Sequence, residues 1–196
     1  AGEIDFARHT LPPWTSQSWG LAALNDSPHQ EDTMRDALIA TVASAAHADW
    51  QKTFRAQNPD KPTREKTTTD HAWSERHGGL TTVDLLATPY EGLPLDWQGE
   101  NKAGAEIAVD AVLHVADTGD RMDNAFIERI ADVLHAAWVS RNPWAPDALR
   151  VPYSELDDVE KEKDRVFVRR AIKAYNTHMA EGARGSLDAS RSPCQG

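Results

Sequence analysis

Two tryptophans and two histidines recur in this chain at one spacing, as His47-Ala-Asp-Trp50 and His135-Ala-Ala-Trp138. They are the residue types that hold a planar ligand. An aromatic base stacked on an indole face gains about 1–3 kcal/mol. A histidine one helical turn earlier lies on the same face and adds a hydrogen-bonding nitrogen. Each pair is followed downstream by Pro-Tyr-x-x-Leu, as Pro89-Tyr90 to Leu93 and Pro152-Tyr153 to Leu156. From the Pro-Tyr onward the two segments align without a gap, so that Ala108-Val109 fall on Ala171-Ile172. A helix-loop-helix unit present twice predicts a pseudo-two-fold domain with equivalent residues facing a cleft. Trp50, Trp138, His47, His135, Tyr90 and Tyr153 are the candidate ligand-binding residues. Arg141, Arg150, Lys163 and Arg165 are the candidate phosphate partners: a guanidinium grips phosphate bidentately, and a lysine acts as a point charge. All ten also suit structural roles in core packing, helix anchoring or surface charge pairing.

Composition narrows the partners. The 196 residues are enough for one well-buried domain, and 40% hydrophobic with 27% charged is ordinary for a globular chain. No apolar run is long enough to span a bilayer, and Ala1-Gly-Glu-Ile-Asp lacks a signal peptide's basic and apolar regions, so a cytoplasmic location and no membrane partner are expected. Cys194 is the single cysteine, which excludes an internal disulfide and a cysteine-based metal site. A net charge of −10 argues against binding duplex nucleic acid. The charge is uneven, however: Lys161 to Lys173 holds six basic and two acidic residues. Such a strip serves as a solvated helix face or as the seat of a small anion.

The elements that carry these residues follow from period and punctuation. Ser27-Pro28-His29-Gln30 is a helix start, and Met34, Leu38, Val42, Ala45, Ala46, Trp50 and Phe54 form one apolar stripe, predicting a helix over 28–56. Residues 57–70, with Pro59 and Pro62, read as a loop; a short helix over 70–77 closes at Gly78-Gly79, and 81–86 reads as a short strand. A second long helix over 94–115 carries Leu95, Ile107, Val109, Val112 and Leu113 and breaks at Thr118-Gly119-Asp120. A third over 123–140 carries Phe126, Ile127, Ile130, Val133, Leu134, Ala137 and Trp138 and ends at Asn142-Pro143. Leu149-Arg150-Val151 is a candidate strand. Asp157-x-x-Glu160 is a capping box that opens a helix to about Glu181, with Val168, Ala171, Ile172 and Tyr175 inward and Gly182 as its stop. The expected organisation is one domain over 1–183, with copies at about 28–116 and 120–182 and a disordered tail over 184–196. Trp14 and Trp19, beside Pro12-Pro13, suggest that residues 1–25 are pinned onto the domain.

Residues 128–175 resemble the ryanodine-receptor-type (RyR) repeat. The resemblance is carried by Leu134-His135-x-x-Trp138, Asn142, Leu149-x-Val151-Pro152-Tyr153-x-x-Leu156 and Glu160-Lys161-x-Lys163-Asp164. Residues 38–113 look like a diverged copy with an insertion of about 25 residues between Trp50 and Pro89. Where the family has Gly-Trp-x-Tyr-Gly this chain has Asn142-Pro143-Trp144-Ala145-Pro146, and no His-Pro precedes Leu149. The resemblance implies a mainly α fold with small β elements, a pseudo-two-fold tandem of repeats, and a ligand-binding module. In the channels of that family, tandem repeats bind adenine nucleotides with the His-x-x-Trp tryptophans stacked on the base. Small bacterial and phage members are proposed to sense nucleotide-derived signals.

Enzyme signatures are weak. His47-Ala-Asp49, His114-Val-Ala-Asp117 and Asp70-His71 are not the adjacent His-Asp of metal-dependent phosphohydrolases, and Glu100, Glu106 and Asp110 are carboxylates of a single helix. No glycine-rich phosphate loop or nucleophile elbow is present. The expected function is non-enzymatic binding of a nucleotide-like small molecule, as a sensor or sequestering protein, with no cofactor and no metal. A protein-interaction module and a metal-dependent nucleotide hydrolase are the alternatives, and self-association into a homo-oligomer is compatible with each.

Overall fold

Four long helices carry the apolar stripes of the sequence. The computed structural model describes residues 28–189, with side chains over 32–184. The expected roles of Ser27, Trp14 and Trp19, and the tail beyond residue 189, lie outside the described residues. In chain order the elements are α1 (Pro28–Gln57), β1 (Glu65–Thr67), α2 (His71–Arg76), β2 (Thr82–Asp84), a 3₁₀ turn (Tyr90–Gly92), α3 (Leu95–Thr118), α4 (Asn124–Arg141), 3₁₀ turns at Asp147–Leu149 and Tyr153–Glu155, and α5 (Asp158–Ala189). The fold is mainly α, with one small antiparallel ladder that pairs Glu65 with Asp84, Lys66 with Val83 and Thr67 with Thr82. Among the described residues no helix is long and apolar enough to cross a membrane.

Helix α1 packs on α3 and α5, α3 packs on α5, and α4 packs mainly on α5. Their shared core contains Leu38, Val42, Val109, Val112, Phe126, Ile130 and Val168. The buried face of α3 is made largely of small residues, Gly104, Ala105, Ala108 and Ala111, beside Val109, Val112 and Val115. Of the bulky apolar residues on this helix, Leu95 is exposed, and Ile107 and Leu113 are only partly buried. Short side chains let α3 lie close to two neighbours at once, so bulk alone does not reveal its inner face. Two bidentate ion pairs fasten the helices: Arg35 to Asp110 at 2.6 and 2.9 Å joins α1 to α3, and Arg170 to Asp49 at 2.7 and 2.6 Å joins α5 to α1.

The segment between α1 and α3 is tied down by side chains at the start of α3. The Asp70 carboxylate accepts from the Trp73 and Leu95 amides, capping α2 and meeting the first residue of α3; these bonds hold its pKa below the usual carboxylate range. Asp96 accepts from the Thr68 hydroxyl and the Thr69 amide, while the Trp97 indole donates to the Thr67 carbonyl. The Trp73 indole donates to the Gly92 carbonyl. Gly78, Gly79 and Gly119 take positive φ where α2 and α3 end.

Three expectations are corrected. The loop over 57–70 contains β1, whose Glu-Lys-Thr has no apolar alternation to announce it. Leu149-Arg150-Val151 forms no strand: a 3₁₀ turn over Asp147–Leu149 stands there, confined between Pro146 and Pro152. Gly182 does not stop α5, which runs on to Ala189. Gly182 and Gly185 each cost a helix only about 1 kcal/mol, and the neighbouring Ala, Glu and Arg are good formers. Residues 176–184 are nevertheless all exposed. A chain ending at Ala183 is expected to melt within about 2 °C of the full chain, because exposed changes shift stability by roughly 0.5 kcal/mol. Parallel thermal melts check this; a large drop would mean that the end of α5 is held by another surface.

Candidate functional site

The imidazoles of both His-x-x-Trp motifs point inward and meet the backbone. Nε2 of His47 is 3.0 Å from the Thr88 carbonyl oxygen, and Nε2 of His135 is 2.9 Å from that of Val151. A carbonyl only accepts, so each contact calls for the hydrogen on Nε2; at His47 the Gln51 amide nitrogen also lies 3.0 Å from that same atom. Thr88 and Val151 directly precede Pro89-Tyr90 and Pro152-Tyr153, so the same bond is made at both places. The turns that follow also match: Leu93 donates to Tyr90 at 3.1 Å and Leu156 to Tyr153 at 3.2 Å. Each imidazole stacks on its own tryptophan, at 5.6 Å for His47–Trp50 and 6.3 Å for His135–Trp138, both at 22°.

Trp50 and Trp138 are half-buried and line one cleft of about 660 Å³. That volume lies within the usual range for small-molecule sites. Its walls come from corresponding positions of the two helix-turn-helix segments: His47 with His135, Trp50 with Trp138, Leu93 with Leu156, Trp97 with Glu160, Glu100 with Lys163, Asn101 with Asp164, and Gly104 with Phe167. The last two positions touch each other. A Cβ on Gly104 would stand 2.9 Å from the Phe167 ring, so the bare α3 backbone gives that ring its place. Trp144 stands at the mouth, 78% exposed.

Most charges in the cleft are paired. Lys163 binds Glu160 at 2.5 and 2.6 Å, and Arg141 reaches Glu100 at 3.3 Å while its Nε has no acceptor. Arg64 and Lys66 have no carboxylate partner among the described residues. The Arg64 guanidinium lies 5.5 Å from the Phe54 ring centre and the Lys66 ammonium 5.7 Å from that of Trp97.

Of the ten residues expected from the sequence, Trp50, Trp138, His47, His135, Arg141 and Lys163 line this cleft, and Tyr90, Tyr153, Arg150 and Arg165 do not. Tyr90 is buried in the main core. The Tyr153 hydroxyl donates to Glu128 at 2.9 Å, and burial followed by that bond pushes its pKa up to about 12. Arg165 binds Asp158 at 2.6 Å and Glu128 at 2.7 Å, which raises its pKa further, and Arg150 binds Asp147. These four are committed to neighbours outside the cleft. Trp97, Asn101 and Asp164 were legible by carrying the Pro-Tyr alignment one turn into the next helix. Arg64 and Lys66 lie in the insertion, where the alignment has no counterpart.

Among the described residues no group of three His, Cys, Asp or Glu is placed to hold a metal. Asp110, a candidate chelator, is occupied by Arg35. No family model matches the chain, nor does any curated protein or solved structure.

Two predictions follow from the histidines. The Thr88 carbonyl also accepts from the Gln51 amide at 2.9 Å, whereas the Val151 carbonyl has His135 as its partner. Leaving a buried carbonyl unpaired costs about 1–3 kcal/mol. His135→Ala is therefore expected to destabilise the fold by roughly that much more than His47→Ala, as read by urea unfolding. Equal losses would contradict the assignment.

The second prediction concerns Asp164, whose Oδ2 is 3.5 Å from Nδ1 of His135. Burial, with Glu160 adding repulsion, pushes its pKa up to about 7. A carboxyl whose pKa rises on folding contributes stability that is complete below its unfolded pKa and is lost as pH rises toward 7. Asp164→Asn is expected to gain melting temperature over the natural chain progressively from about pH 4 to pH 7. A constant difference across that range would contradict the shift.

Proposed function

We propose that the chain is a pseudo-two-fold tandem of RyR-like repeats that binds a nucleotide-derived small molecule without transforming it, as a sensor or sequestering protein. The observation that carries the reading is the single cleft shared by Trp50 and Trp138 with their histidines held back against the backbone. Because each Nε2 is turned to a backbone carbonyl, the histidines orient the indoles and leave stacking to them. A half-buried indole backed by an imidazole is a firm platform for a heterocycle. Support for the tandem reading comes from matched bonds, matched turns and corresponding lining positions.

A binding module leaves its ligand intact. Candidate nucleotides incubated with the protein and Mg²⁺ or Mn²⁺ are expected to elute unchanged from an ion-exchange column, while the ligand that fits raises the melting temperature. Consumption of the nucleotide would favour the hydrolase alternative, and indifference to all of them the interaction module.

Trp50→Ala and Trp138→Ala are each expected to weaken binding by about 1–3 kcal/mol, the size of one lost stacking contact. If the indoles served packing alone, each change would cost about 3–5 kcal/mol of stability and binding per folded molecule would persist. Unfolding and ligand titration on the same two variants separate these results. Full-affinity binding by a folded Trp138→Ala protein would rule out the stacking site.

A further inference from the structure

We propose that Arg64 and Lys66, on the insertion between α1 and α3, form the anion subsite of the cleft and hold the phosphate end of its ligand. This rests on the stacking cleft proposed above and adds the polarity with which a ligand lies in it.

The strand places both cations. Arg64 directly precedes β1 and Lys66 lies within it; in extended backbone residues two apart share a face, with Glu65 on the other. Both line the cleft. Their backbone is fixed: the Arg64 amide donates to Asp84 at 2.8 Å, the Arg64 carbonyl accepts from Leu85 at 3.0 Å, and Lys66 pairs with Val83 in the ladder.

Charge then selects the anion. Lys163 and Glu160 offset one another in the cleft wall, as do Arg141 and Glu100. Arg64 and Lys66 have only the Phe54 and Trp97 rings for partners, which retain a cation without neutralising it. Among the described residues that line the cleft, Arg64 and Lys66 are thus the two cations without a carboxylate partner. A guanidinium offers two parallel donors to a phosphate and an ammonium a third point of charge. Lys66 lies over the ring of Trp97, which lines the same cleft as Trp50 and Trp138.

Calorimetric titration of the full chain with adenosine and with ADP, together with thermal melts in inorganic pyrophosphate, tests the assignment. The natural protein is expected to bind ADP roughly 10- to 100-fold more tightly than adenosine, the size of one or two charged hydrogen bonds. That preference should shrink as salt is raised. The Arg64→Gln/Lys66→Gln double variant, changed at cleft-rim side chains, is expected to bind both at the strength of adenosine and to lose stabilisation by pyrophosphate. Arg141→Gln should keep the preference. Equal binding of ADP and adenosine by the natural chain overturns the proposal, as does a preference that survives the double substitution or is lost with Arg141. So does a natural chain that responds to neither ADP nor pyrophosphate. Stabilisation by pyrophosphate through Arg64 and Lys66, with no binding of adenosine or ADP, leaves the anion subsite standing and removes the nucleotide reading.

Discussion

A buried imidazole held against a backbone carbonyl is the contact on which the cleft depends. His47 in α1 and His135 in α4 each join their helix to the residue before a Pro-Tyr turn, at 3.0 and 2.9 Å. A histidine buried without a partner would be costly, so this bond fixes both ring orientation and helix-turn spacing. The turn in turn sets where the next helix begins: Leu93 and Leu156 close it with the same extended backbone, at φ −69° and −66°. With the histidine turned inward, the tryptophan three residues later stands at the rim. The platform and the element that aims it are thus one local motif, placed at both sides of the cleft.

The two His-x-x-Trp and Pro-Tyr segments make the same bonds, but the side chains they give the cleft differ. Trp97 stands opposite Glu160 in the correspondence, Glu100 opposite Lys163, and Asn101 opposite Asp164. Gly104 and Phe167 show why identity is impossible near the centre: two phenylalanines would overlap there, and two glycines would leave a void. The insertion adds Arg64 and Lys66 on one side only. On the proposed reading, this asymmetry orients a ligand with a flat end and a charged end. The carboxyl of Asp164, raised to about 7, gives the second segment a donor whose state varies near neutrality, where Asn101 offers a fixed amide.

The helices were legible because their stripes and punctuation agree. Asp157-x-x-Glu160 caps α5 with the Glu160 amide 2.8 Å from Asp157, and Gly119 ends α3 at φ 73°. The His-x-x-Trp pairs were legible because their spacing places them on one helical face. What sequence could not supply was competition for charge. Arg165 and Arg150 carry the right chemistry for phosphate, yet Asp158, Glu128 and Asp147 hold them; these partners become visible only once the helices and turns are folded together. Arg64 and Lys66 were passed over for the opposite reason. They lie in a polar, proline-flanked segment whose short strand depends on pairing with residues 82–84. The run of α5 past Gly182 reflects a modest propensity cost outweighed by its neighbours.

The central claim is that the paired tryptophans form one aromatic platform with an anion seat beside it. A crystal structure of the protein grown with ADP tests this most directly. The account predicts electron density for the base on the indoles of Trp50 and Trp138, with the diphosphate within hydrogen-bond distance of Arg64 and Lys66. Density for ADP anywhere else, or a cleft without ADP at saturating concentration, would contradict it.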